Sequence, residues 1–144
     1  MSPQPRTRLI SALRYANPER ALEFLVAGFG FAEHTVYRGD AGAIVHAELR
    51  FGDDILMFGP DIETPFANFM ILPEKAGGRN TQTIYVIVDD VDAHHAQAVA
   101  AGAEIVMPLV DTGYGGRGYS ARDPGGHVWS FGTYDPWTAA GPKV

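Results

Sequence analysis

The sequence contains no cysteine. Disulfides, thiol nucleophiles, thiolate-held metals and iron–sulfur clusters are excluded together. An excess of positive charge is also missing: 11 Lys and Arg stand against 17 Asp and Glu, for a formal net charge of −6. With no basic field to hold a phosphate backbone, nucleic acid is not an expected partner. No stretch approaches the roughly 20 apolar residues that span a bilayer, and residues 1–6 lead into no apolar segment of a secretory leader. The expectation is a cytoplasmic protein with no membrane partner. Nucleophile elbow, phosphate-binding loop and zinc-protease helix signatures are all absent from the sequence. What remains is 144 residues, 46% hydrophobic and 19% charged, the size and balance of one self-folding domain over residues 1–144. Its 17 Gly and 10 Pro favour many short strands over a helical bundle.

Asn17-Pro18 is a helix-start pair, in which Asn caps free N–H groups and Pro takes the first helical position. A strand over residues 9–15 therefore leads into a helix with Ala21, Leu22, Leu25 and Val26 inward and Gly28 or Gly30 closing it. From Glu33 the period falls to two. Val45, Ala47, Leu49 and Phe51 alternate with His46, Glu48 and Arg50, and Gly52-Asp53-Asp54 turns the chain into Ile55-Leu56-Met57-Phe58. After a connection over residues 59–81 the same order returns: a strand over 83–88, a cap at Asp89-Asp90, and a helix with Ala93, Ala96 and Val99 inward. Strands over 104–109, 118–122 and 127–131 follow, the last two joined across Asp123-Pro124-Gly125-Gly126. One offset of 73 residues carries Ile10 onto Thr83 and Phe58-Gly59 onto Phe131-Gly132, so the pattern reads as a duplication. The expected fold class is α+β: paired βαβββ modules, about 8–59 and 82–135, forming a cup-shaped curved mixed sheet with helices outside.

The stretches RYANPERALEFLVAGFGF, HAELRFGDDILMFG and GYSARDPGGHVWSFGTYDPW resemble the vicinal oxygen chelate superfamily, which includes glyoxalase I, extradiol dioxygenases and bleomycin-resistance proteins. The resemblance covers about residues 8–137 and implies the same paired-module fold. It also implies metal-ligand positions on the first and last strands of each module, which fall here on Ile10, Met57, Thr83 and Ser130. Divalent cations of that chemistry take imidazole or carboxylate donors. Neither a metal nor another cofactor is therefore expected, and the resemblance points to the metal-free, ligand-binding branch, with the homodimer habit of that family.

Two-residue spacing puts His46 and Glu48 on one strand face, opposite Val45, Ala47 and Leu49. They form either an acid/base pair looking into the cup or the polar side of a half-exposed strand. Met57, Thr83 and Ser130 join them as candidate ligand-binding residues, with Tyr85 on the face of Thr83 and Tyr119 as the 73-offset partner of His46. His94 and His95 are helix neighbours pointing about 100° apart, unlike a chelating pair, and are expected at the surface. Gly113-Tyr114-Gly115-Gly116-Arg117-Gly118 fits a dinucleotide fingerprint in letters only, since a strand follows it. It reads instead as a loop over the cup, with Tyr114 and Arg117 available to a ligand. Trp129 and Phe131 read as core, and Trp137 as a residue at a subunit boundary. Three functions stay open: binding of a small amphipathic or aromatic molecule in a metal-free cup, as in toxin or antibiotic sequestration; a glyoxalase-like lyase or dioxygenase-type enzyme, metal-free through His46 and Glu48 or using rearranged ligands; and a structural domain with a filled cavity.

Overall fold

A computed structural model describes residues 7–113 and 115–138. The first half runs β1 (Ala12–Tyr15), α1 (Pro18–Phe29), β2 (Ala32–Arg38), β3 (Ile44–Phe51) and β4 (Asp54–Pro60). Two short 3-10 turns, Pro65–Phe69 and Pro73–Ala76, lead to β5 (Ile84–Ile87), α2 (Val91–Ala100), β6 (Glu104–Thr112), β7 (Gly116–Arg122) and β8 (Val128–Gly132). Each half forms an open, curved four-stranded mixed sheet, ordered β1-β4-β3-β2 and β5-β8-β7-β6. The first and last strands of each half pair in parallel and the hairpins pair antiparallel, which is the expected α+β arrangement of two βαβββ modules.

Both helices begin where the caps were legible. Asn17 Oδ1 accepts from the Arg20 N–H at 3.1 Å, and Asp90 Oδ1 accepts from the Ala93 N–H at 3.0 Å. Gly30 ends α1 at φ 84°, a left-handed turn that glycine enters without a Cβ clash. The inward face of α1 is Ala21, Leu22, Phe24, Leu25 and Phe29, while Val26 turns toward solvent.

In α2 the inward face is not the expected Ala93, Ala96 and Val99. Val91, His94 and Ala98 are buried, and Ala93, Ala96 and Val99 are exposed. His94 is therefore interior. Alanine-rich helices give little apolar contrast, and the interior demands polar partners here: the Nε2–H of His94 donates to the Phe29 carbonyl at 2.9 Å, while Nδ1 accepts from the Tyr119 hydroxyl at 2.6 Å.

The core joins the two modules. At the end of α1 the Phe29 ring lies 5.4 Å from Trp129 and 4.6 Å from Phe131, and Phe31 lies 5.6 Å from Trp129, centroid to centroid. A second junction is polar. Asp123, 4% exposed in the β7–β8 turn, accepts from the Tyr15 hydroxyl at 2.6 Å and the Trp129 indole N–H at 3.0 Å through Oδ2. Its Oδ1 accepts from the backbone N–H groups of Gly125 at 2.9 Å and His127 at 3.0 Å. Burial, reinforced by the Asp123 charge, pushes the Tyr15 phenol well above its ordinary range and keeps it a donor. Gly125 is required by space, since a Cβ there would run into the Tyr15 ring.

Two outcomes are expected. Asp123→Ala strands two buried side-chain donors from different modules and should lower the unfolding free energy by about 3 kcal/mol or more in urea denaturation; Tyr15→Phe should lose less. For His94, burial lowers the pKa against the raising effect of the Phe29 hydrogen bond. The unfolded chain takes up a proton near pH 6.5 while the folded one does not, so stability should fall as pH drops below about 6.5, by up to about 1.4 kcal/mol per unit. Denaturation at pH 7.5, 6.5 and 5.5 checks the sign, and the slope should flatten in His94→Gln.

Candidate functional site

Strand parity decides what the first sheet presents. Ala47 and Leu49 on β3 are fully buried on the helix side, so His46 and Glu48 leave by the opposite face. There the Nε2–H of His46 donates to Glu48 Oε2 at 3.0 Å. Glu48 sits beside Met57 of β4 on one flank and Thr35 of β2 on the other, and Tyr37 pairs with His46, ring centroids 5.8 Å apart. His34 joins them through a register shift between Glu33 and Thr35: its Nδ1 lies 3.8 Å from Glu48 Oε1 and 2.9 Å from Thr35 Oγ1. One carboxylate thus lies between two imidazoles on an accessible strand face. The alternation at 45–51 revealed His46 and Glu48 in the sequence, whereas the register shift that brings exposed His34 beside Glu48 left no sequence signal.

The second sheet presents a different chemistry. Ser130 of β8 pairs with Ser120 of β7, their hydroxyls 2.7 Å apart, and lies beside Tyr85 of β5. The Tyr85 hydroxyl donates to the Tyr134 carbonyl at 2.7 Å. Glycine at 132 lets the ring lie there, because a Cβ would come within 2.8 Å of the Tyr85 oxygen. Thr83 precedes β5 and spends its hydroxyl on the Val128 carbonyl at 2.9 Å. The structure thus brings together His46, Glu48 and Met57 on one sheet, and Thr83, Tyr85 and Ser130 around the other. Among the described residues no strand pairing joins the two sheets.

Tyr119 belongs to neither group. It is 3% exposed, stacks on Phe131 and bonds His94 within the core. The reason is one residue of hairpin length: β3 pairs Ala47 with Phe58, but β7 pairs Tyr119 with Phe131, so the repeat offset is 73 on the last strands and 72 on the third. Tyr119 is the counterpart of buried Ala47, and Ser120 that of Glu48. Arg117 is likewise held on the helix side, with Nη2 3.1 Å from Asp92 and Nη1 3.4 Å from Asp111. Tyr114 lies outside the described residues.

The four positions where the fold family would place metal ligands do not form a hard-cation donor set. Ile10 has no donor, Met57 offers a thioether, and the hydroxyls of Thr83 and Ser130 are engaged with Val128 and Ser120. Among the described residues no three His, Asp or Glu side chains gather in a metal-holding arrangement. None of their helices is long and apolar enough to cross a membrane.

Comparison with known proteins places this geometry in context. Residues 9–131 match the glyoxalase/bleomycin resistance protein/dioxygenase superfamily, and the chain belongs to it. It is 35% identical over 112 residues to the uncharacterized protein Mb0911c of Mycobacterium bovis, covering 78% of this chain and 73% of that one. Among solved structures, TioX from Micromonospora sp. ML1 is 36% identical at a TM-score of 0.70, covering 88% of this chain and 97% of TioX. The bleomycin-binding protein of Streptomyces verticillus, solved with copper(II)-bleomycin, shares the fold at 21% identity and a TM-score of 0.57, covering 91% and 97% of the two chains.

Proposed function

We propose that this protein binds a small amphipathic or aromatic molecule, without metal, on the faces that carry His46–Glu48 and Ser120–Ser130, and so sequesters a toxic or antibiotic compound. The observation that carries the reading is the His46–Glu48 pair at 3.0 Å on the strand face opposite the core. A carboxylate backed by two imidazoles accepts hydrogen bonds from a guest cation, and Met57 beside it supplies an apolar, polarizable contact. The donor chemistry at Ile10, Met57, Thr83 and Ser130 supports a route that does not run through a hard cation. We infer further that the unit is a homodimer. Each module offers one open face, and a second copy bringing its Ser130 face over the Glu48 face of the first would enclose a guest on two sides.

The same His46–Glu48 pair is arranged as a base and its orienting carboxylate. Proton transfer to a bound substrate is the second reading it favours. Turnover of a bound compound, lost in His46→Gln with binding retained, would establish that reading over sequestration.

Glu48→Gln keeps the shape and removes the charge. A cationic guest of the bleomycin type should lose about 1–3 kcal/mol of binding free energy, and neutral aromatic compounds should lose much less. Titration calorimetry of both proteins against both ligand classes reads this directly. Equal affinities for every compound that binds would leave Glu48 as an ordinary polar strand residue.

A further inference from the structure

A groove of about 410 Å³ opens at the junction of the two modules, apart from His46, Glu48, Met57 and Ser130. That volume lies within the range of small-molecule sites. Five aromatic residues line it: Phe31, Phe51, Tyr85, Trp129 and Trp137. Phe31 and Trp129, 6% and 0% exposed, underlie its floor, and Tyr85, 42% exposed, is the ring open to a guest there. Phe31 and Trp129 are fixed there by the same ring contacts that join the modules, with Phe31 also 5.4 Å from Phe51, so the floor is rigid. Leu9 and Trp137 stand open at the mouth, 91% and 90% exposed. Among the described residues the lining contains one acid, Asp54, and no Lys, Arg or His. Asp54 is anchored at the rim by the Thr7 hydroxyl, 2.5 Å from Oδ1.

We propose that this groove is a second binding site, for a planar aromatic cation. Flat rings gain most by stacking on the accessible rings of Tyr85 and Trp137 above that fixed aromatic base. A positive charge on the same molecule meets electron-rich ring faces and the Asp54 carboxylate. An anionic guest of equal size is repelled by the Asp54 carboxylate at the rim. The site stands on residues distinct from Glu48 and does not depend on the function proposed above.

The chain carries only two tryptophans, and both line the groove. Their emission therefore reports on its occupancy. Proflavine, a planar tricyclic cation, titrated into the full chain should quench that emission saturably at one equivalent, while the anion 1-anilinonaphthalene-8-sulfonate binds at least roughly tenfold more weakly. Asp54→Asn should weaken proflavine about fivefold and Trp137→Ala roughly tenfold. Ile55→Arg, which places a fixed cation in the lining, should abolish binding with the thermal transition unchanged. Absence of saturable quenching overturns the proposal, as does equal binding of the anion. Loss of affinity in Glu48→Gln but not in Asp54→Asn would seat the probe on the other face and also overturns it. So does a dimer in sedimentation velocity that Ile55→Arg dissociates, since a second copy would then cover the groove.

Discussion

The arrangement depends on one buried carboxylate. Asp123 holds four hydrogen-bond donors, and they come from both modules: a tyrosine of β1, an indole of β8 and two backbone amides of its own turn. An ionised acid in so dry a place is tolerated only when its lone pairs are filled, and here they are. Because Tyr15 and Trp129 meet on one oxygen, the first strand of one sheet and the last strand of the other are held at a fixed separation. His127 strengthens the joint, its ring 4.8 Å from Tyr15 and its Nε2–H donating to the Arg14 carbonyl at 2.9 Å.

With the modules fixed through their helix-side faces, the opposite faces are free to differ. One gathers ionisable groups, His34, His46 and Glu48, around a central strand. The other gathers hydroxyls and glycine, Ser120, Ser130 and Gly132, beneath a tyrosine ring. A duplicated fold thus carries two unlike surfaces. A charged face confers hydrogen-bond and charge selection, and a small-residue face allows close approach. The superfamily supplies the scaffold, and the proposed binding rests on these side chains.

Local rules made much of this legible in the sequence. Asn17-Pro18 and Asp90 set helix starts through contacts three residues long, and the period of two at 45–51 assigned His46 and Glu48 to one face. Longer relations were hidden. Tyr119 moved to the core because one extra residue in the Asp123 turn changes the repeat offset, and residue counts in a hairpin shift every side chain beyond it to the other face. His94 looked like a surface residue because its partners, the Phe29 carbonyl and Tyr119, lie 65 and 25 residues away. The role of Asp123 was concealed behind its fitness for a turn, since a contact 108 residues distant leaves no local mark.

The face carrying His46, Glu48 and Met57 is proposed to be a binding surface rather than an ordinary polar strand side. A crystallographic soak of the full chain with a library of small hydrogen-bonding fragments tests it most directly. Basic and donor-bearing fragments are expected in density against the Glu48 carboxylate, with an apolar part along Met57 and the His46–Glu48 contact preserved. Fragments bound elsewhere on the protein, with His46 and Glu48 bare and turned to bulk water in the same crystals, would contradict it.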